Sequence, residues 1–513
     1  MLRLFYLFAC VSAQSSYSID DFGAVPGVDS FTVAVKNGAA LALALAAANS
    51  SQTRRSVLVP QDKVYAFLPA QSSFDNVKNV VVYLEGTLNL YTANFTKIYP
   101  NYPNPWVPIR FHYCENLSII STTGKGLLNG RGNNWWWYAI LVSDNRPNLL
   151  EVDTCTNFVL DNVSFLNSPA WHVWLPSQTN ASVAGVTVRV DIADQLDVYR
   201  YIGGSPASAS LEDVLRASER IGPSTHSQAA QWERGGSLAA RQLAGDPALV
   251  AARAAAFPAS VMSQTWFEDE WTVTPPIPMI WALNTDGIDF TGQGITVRNC
   301  SITNFDDSVC VKPSSSADGS AGGCTSGVEI SDISVLYGVG VSMGSVPPDP
   351  VLNCIDGVAA RRLHFNTPLK ALYMKPNPPK GDPGGDSGRI ANVLYEDVEI
   401  HDALWWPVWV GTQQQQQPGS AGTGCSFLFP LFNSSCPLDP QVTVANITLR
   451  RVTVYNGLLA PGVLMANESN PGTGFVWDEV VAINASTFPF TGYLVKNVFG
   501  RAEGGTTPVP AGF

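Results

Sequence analysis

Phe158-Val-Leu-Asp-Asn-Val-Ser-Phe-Leu-Asn167 and Ile295-Thr-Val-Arg-Asn-Cys-Ser-Ile-Thr-Asn304 are the two stretches on which the fold turns. In each, apolar residues alternate with polar ones, one polar residue breaks the phase, and a second short alternating run follows. The same shape returns at residues 328–337, 358–367, 393–402 and 447–456. Alternation is the signature of a strand, and a kink between two short strands is what a solenoid needs at a corner. From residue 295 onward the copies start 33, 30, 35 and 54 residues apart, with no helical periodicity between them, which excludes an array of helical repeats. Strands parted by Gly, Asn and Asp turns suit a sandwich or a parallel β-helix. The copies resemble one another in register, not as mirror-image hairpins, which favours an all-β parallel β-helix with coils stacked about 4.8 Å apart around a ladder-like core.

Working outward, the chain has 513 residues, 45% hydrophobic and only 14% charged, ample for a large core and incompatible with disorder. A net charge of −12 argues against a broad basic face for nucleic acid. An acidic polymer remains a possible partner through a few placed Lys or Arg. Residues 14–513 read as a single solenoid domain interrupted at about 197–271 by an Ala-rich, helix-prone insertion containing His226. The insertion reads either as a lid or partner-binding hairpin or as a gene-model artefact. The Gln413–Gln417 run reads as a solvated loop.

Residues 1–13 read as a secretory signal peptide: Arg3, an apolar run from Leu4 to Ala9, then Val11-Ser12-Ala13. A buried N-terminal strand is the alternative. No later stretch reads as a membrane span. Without Cys10 eight cysteines remain, an even number, with Cys425 and Cys436 close enough for a local loop. Asn-x-Ser/Thr triplets at Asn49, Asn94, Asn116, Asn162, Asn180, Asn433, Asn446, Asn467 and Asn484 suit a secreted glycoprotein, with Asn299-Cys300-Ser301 a weaker one.

The densest polar constellation is Asn284-Thr285-Asp286-Gly287-Ile288-Asp289, followed by Asn304-Phe305-Asp306-Asp307. Asp286 and Asp306 are 20 residues apart, about one coil, so stacking sets the carboxylates about 5–10 Å from one another. Crowded carboxylates repel, and one pKa rises toward the range of a general acid. An acid with an ionised partner that activates water is the equipment of inverting glycoside hydrolysis. Each motif taken singly is ordinary turn chemistry; together, at one-coil spacing, they point to catalysis.

These motifs resemble those of the polygalacturonase-type pectin hydrolases, glycoside hydrolase family 28. Asp20-Asp21-Phe22-Gly23-Ala24-Val25 looks like that family's opening strand, and Gly126-Leu-Leu-Asn-Gly-Arg-Gly132 with Trp135 and Trp136 like a further segment. Arg146-Pro147 and Asn167-Ser168-Pro169-Ala170-Trp171 match its next landmarks. The resemblance implies a right-handed coil, with Asp306 as general acid and Asp286 and Asp307 as bases. Two departures stand out. The family's Gly-His-Gly appears as Gly338-Val339-Gly340, although Ser342 is kept, and its Arg-Ile-Lys appears as Tyr373-Met374-Lys375. Valine neither titrates nor hydrogen-bonds, and tyrosine lacks the guanidinium fork that grips a carboxylate.

The expectation is thus a secreted hydrolase acting on a pectin-like, galacturonate-containing polysaccharide. Lys375, Tyr373 and Asn284 are the candidate substrate contacts, and Tyr373 is free to stack on a sugar. No cofactor or metal is expected, and the protein is expected to be a monomer. A weak or inactive polysaccharide-binding or structural β-helix is the alternative, motivated by Val339 and Tyr373. A Ca²⁺-dependent lyase using Asp289 and Asp307 is the third reading. Trp135, Trp136, Trp137, Trp405, Trp406 and Trp409 are either sugar-stacking faces or core; Trp171 beside His172 shares that ambiguity. His364 or His401 are candidates to replace the absent imidazole, and Arg361 and Arg362 to add positive charge to the cleft. Ser308 stands where the resemblance implies cysteine, so one disulfide is rearranged toward Cys310 or missing.

Overall fold

The computed structural model describes residues 16–93, 95–98, 107–133, 135–136, 139, 145–191, 282–314, 323–378, 387–414, 425, 429–430 and 436–513. The proposed signal peptide and the 197–271 insertion lie outside the described residues. So do His226, Trp137, Asn94 and Asn433.

Every registered strand pair is parallel, and each strand pairs with its counterpart one coil away. Residues 296–298 stack on 329–331, then on 359–361, 394–396 and 448–450. These offsets reproduce the sequence spacings of 33, 30, 35 and 54. Between the two quoted stretches lies a coil that the sequence reading passes over. Ser182–Ala184 and Thr187–Arg189 pair with the Val159–Asp161 and Ser164–Leu166 strands on one side and with Thr296–Asn304 on the other. The described coils therefore stack directly on either side of the insertion.

The phase-breaking residues are the corners. Asn162, Asn299, Asp332, Arg362, Asp397 and Arg451 all have φ between 50° and 57°, the left-handed region where Asn and Asp are least penalised. One such residue turns the chain and restores the alternation, so apolar side chains face inward again on the next side. Along one ladder the inward rows are Ile288, Val309, Val341, Leu372 and Val408, then Phe290, Val311, Met343, Met374 and Val410. All ten are buried. The row between them, Asp289, Cys310, Ser342, Tyr373 and Trp409, points away from the interior yet is equally buried. This sheet is covered on both faces, and its covered outer face carries the polar constellation.

Several expectations change. The Asp20–Gly23 segment forms a 3-10 turn, Ile19–Phe22, after a two-residue strand. An α-helix, Phe31–Ser50, follows; by length and hydropathy it qualifies as a membrane span, contrary to the sequence reading. Here it covers the first coils. Its Leu41 and Leu45 share one apolar interior with Val59, Val82 and Leu84. Buried Asn37 bonds Val25 and Ala66, and a Cβ on Gly38 would lie 1.7 Å from the Leu68 carbonyl oxygen, so only glycine permits this approach.

Cys114–Cys155, Cys324–Cys354 and Cys425–Cys436 are disulfides, the last as expected. Cys300 and Cys310 remain buried thiols, so the pairing anticipated near Ser308 is missing. Within the Gln413–Gln417 run, read as a solvated loop, Gln414 is buried, while residues 415–417 lie outside the described residues. Trp135, Trp136, Trp405, Trp406 and Trp409 are buried, which settles them as core.

Candidate active site

Residues 282–287 and 305–308 are consecutive turns entering the covered sheet. Asn304 braces the second turn from within, its Nδ2 lying 3.1, 3.0 and 2.8 Å from the carbonyl oxygens of Thr285, Asp306 and Asp307. Asp306 and Asp307 precede Val309–Val311 in this turn, so their side chains are not forced to opposite faces as adjacent residues on a strand are. Asp286, Asp306 and Asp307 converge, each offering an oxygen within 4.8 Å of the others.

Each carboxylate has its own surroundings. Asp306 accepts from the Asn284 backbone N–H at 3.0 Å, the Asn284 amide at 3.2 Å and the Asp307 N–H at 2.8 Å. Asn284 is held in turn by Arg146, whose guanidinium donates to its Oδ1 at 2.8 Å and to the Leu283 carbonyl. Asn284 is therefore a buried brace for Asp306. Asp307 accepts from Ser342 and from Lys375. The Asp286 backbone is pinned by His172, whose Nδ1 lies 2.9 Å from the Asp286 carbonyl oxygen while its Nε2 accepts from Ser168 N–H. Burial pushes this imidazole down to about 4, so it stays neutral.

Lys312 is the charged group that sequence reasoning missed. Its Nζ lies 3.1 Å from Asp289, 3.8 Å from Asp307 and 4.0 Å from Asp286, and 4.9 Å from the Trp171 ring centroid. Counting one 21-residue coil from Thr291 along the Ile288–Val309 register finds it. Burial would strip its proton, but Asp289 and its neighbours raise the ammonium well above its usual range. Burial, then Asp306 and Asp289, push Asp286 well above the usual carboxylate range, with Lys312 opposing. Burial also lifts Asp289 to about 6 against the pull of Lys312. For Asp307 burial acts upward too, yet Lys375 and Lys312 outweigh it and hold the carboxyl below its ordinary value. Burial and crowding have thus produced two reluctant carboxylates, Asp286 and Asp289, and one firmly ionised one, Asp307.

Tyr373 is not a sugar platform. It is fully buried, its hydroxyl accepts from Gln414 N–H at 2.8 Å, and Lys370 and Lys375 each lie 4.9 Å from its ring centroid. Lys375 is likewise buried, paired with Asp307. His364 and His401 stand on the outer face beside Glu399, away from the carboxylates. Arg361 and Arg362 pair with Glu396 and Asp332. None of these four belongs to the site.

The family model for glycosyl hydrolases family 28 matches residues 50–196 and 269–488, spanning both halves of this site. The chain belongs to that family. Among curated proteins, family 28 likeness appears in a probable polygalacturonase of Arabidopsis thaliana, 25% identical over 147 residues, which is 27% of this chain and 31% of that relative. The chain spans between 16% and 35% of the length of the curated relatives it matches. Solved structures share the fold. An endo-xylogalacturonan hydrolase from Aspergillus tubingensis is similar with a TM-score of 0.51 at 16% identity, over 94% of this chain and 98% of that one. An exopolygalacturonase from Thermotoga maritima gives 0.55 at 14% identity, over 96% and 92%.

Proposed function

We propose that this family 28 protein hydrolyses glycosidic bonds in a galacturonate-containing, pectin-like polysaccharide. The convergence of three buried carboxylates within 4.8 Å, beside Lys312 and Lys375, carries the reading. The family resemblance, not the carboxylate shifts, assigns Asp306 as the acid: its proton passes to the oxygen of the leaving sugar as that bond to the anomeric carbon breaks. Asp286 and Asp307 orient a water whose oxygen bonds to the anomeric carbon and whose proton passes to a carboxylate. No metal enters the scheme, because the two ammonium groups already supply the positive charge.

Inversion is the expected outcome, in a right-handed coil. The oxygens lie within 4.8 Å of one another, nearer the roughly 5–5.5 Å of retaining pairs than the roughly 6.5–9.5 Å that inverting pairs leave for water, so in this scheme the water enters beside the cluster, not across it. Proton NMR of the first-formed anomer tests this: a product of retained configuration would overturn the single-displacement scheme. With a buried tyrosine at position 373, the cations beside the carboxylates are Lys312, which is partly exposed, and Lys375, which is buried against Asp307. A polymer with spaced carboxylates, such as a backbone alternating with neutral sugar, fits such a site as well as polygalacturonate does.

The deciding experiment measures reducing ends released from polygalacturonate, rhamnogalacturonan, xylogalacturonan and neutral glucans at pH 4 to 7. Asp306→Asn is expected to lower the rate by about 10²–10⁴-fold. No release from any glycan by folded protein would turn the reading to a polysaccharide-binding β-helix. We further propose secretion with loss of residues 1–13, which N-terminal sequencing of exported protein checks, and a monomer, which sedimentation checks.

A further inference from the structure

Extending the ladder register two residues toward the start of each strand places Asp286, Asp307, Val339 and Lys370 in one column, on four successive coils. The column is continuous through the turns: Gly287 N–H bonds the Asp307 carbonyl, Val339 N–H the Asp306 carbonyl at 2.8 Å, and Leu369 N–H the Gly338 carbonyl at 2.8 Å. Val339 belongs to an apolar cluster with Tyr373, Trp405, Trp406 and Trp409. Lys370 is only 1% exposed, its Nζ standing 4.9 Å from the Tyr373 ring centroid and 5.7 Å from that of Trp409.

We propose that Lys370 is a positioning residue that sets the protonation of the Asp306–Asp307 pair, in a column where the apolar Val339 adds no titrating group. The inference rests on the hydrolytic reading above. A charge in a covered, poorly solvated column acts on its neighbours far more strongly than one in water. The charged groups that act on Lys370 are Lys375 from its own strand and Asp306 and Asp307 from the turn two coils away. Tyr373 and Trp409 contribute ring faces that favour the cation. Burial, then Lys375, bring the ammonium down to about 7, with Asp307 and Asp306 opposing. Lys370 therefore carries its charge at acidic pH and loses it near neutrality, whereas Lys375 and Lys312 are held charged.

The sign follows. Below about 7, the positive charge favours ionised carboxylates and draws both limbs of the rate profile toward lower pH. Lys370→Met, of similar shape and without charge, is expected to move the limbs of log kcat/KM upward by about one pH unit. Lys370→Arg keeps the charge and is expected to leave them in place. Lys370→Gln serves as a second neutral variant, with thermal unfolding confirming that each is folded. Folded neutral variants whose profile superimposes on that of the wild type would overturn the proposal alone. A wild type that releases no reducing ends, like Asp306→Asn, would overturn the hydrolytic reading and this proposal with it.

Discussion

Asp289 and Lys312 illustrate how residues outside the proposed catalytic trio tune its carboxylates. Asp289 raises Asp286, and it also holds Lys312 at 3.1 Å while Asp286 receives the same ammonium only at 4.0 Å. Asp289→Asn removes one negative charge and releases Lys312 toward Asp286, and both changes lower the Asp286 pKa. With Asp286 as the proposed base, active only when ionised, the acidic limb of the rate profile should move to lower pH. Titrating kcat from pH 3 to 7 reads the shift, which belongs to the coupled cluster as a whole. Among residues, the aspartates were legible because their spacing matches one coil. Lys312 and Lys370 were not: Lys312 follows Asp307 in the same coil but reaches Asp286 and Asp289 only across the neighbouring coil, and Lys370 shares the column of Asp286 and Asp307 only through the register. Tyr373 misled for a related reason: it lies on an outward row, and what buries it, Gln414 among others, comes from a distant part of the chain.

At the scale of elements, the corners explain a signal that composition left ambiguous. Asn116, Asn162, Asn180, Asn446 and Asn484 all sit in left-handed corners. In four of these triplets the next residue, Leu117, Val163, Ala181 or Ile447, turns inward, and an outward Ser or Thr follows. Coil geometry alone therefore writes Asn-apolar-Ser/Thr. Several of the corner amides also bond one another up the stack, as Asn157 to Asn116 at 2.9 Å and Asn446 to Asn392 at 3.0 Å. The triplet density is thus accounted for by folding before any glycan is invoked. The turn at Gly338–Gly340 offers a sharper test. Gly340 has φ +71°, and an added Cβ would lie 2.1 Å from the Ala371 carbonyl oxygen. Gly340→Ala should cost about 3 kcal/mol or more, combining a left-handed penalty with a backbone clash. Chemical denaturation measures it; a midpoint equal to that of the wild type would contradict the close stacking of these two turns.

At the scale of the molecule, the parallel solenoid was legible because each alternating copy reappears at its own offset in the register. The helix Phe31–Ser50 was not, since Leu41-Ala-Leu-Ala-Leu45 alternates like a strand and takes helical form through capping by Ser30 and packing on the first coils. A solenoid end otherwise presents apolar side chains and unpaired backbone to a second molecule. Deleting residues 31–50 should therefore produce concentration-dependent association visible by light scattering. A monodisperse deletion variant would show that the end needs no cover. One more consequence follows from the coil plan. Between the covered ladder and the next side, the strands Val309–Val311, Val341–Val346, Leu372–Pro376 and Val408–Val410 are followed by gaps of 13, 6, 11 and 31 residues. The three sides beyond each gap keep nearly constant length. Across these four coils the variation in length falls in the slot after the covered ladder, whereas the 197–271 insertion lies in the slot before it, ahead of Asp286. Length can therefore change beside the covered ladder in these four coils while the register that aligns Asp286 with Asp307 is kept.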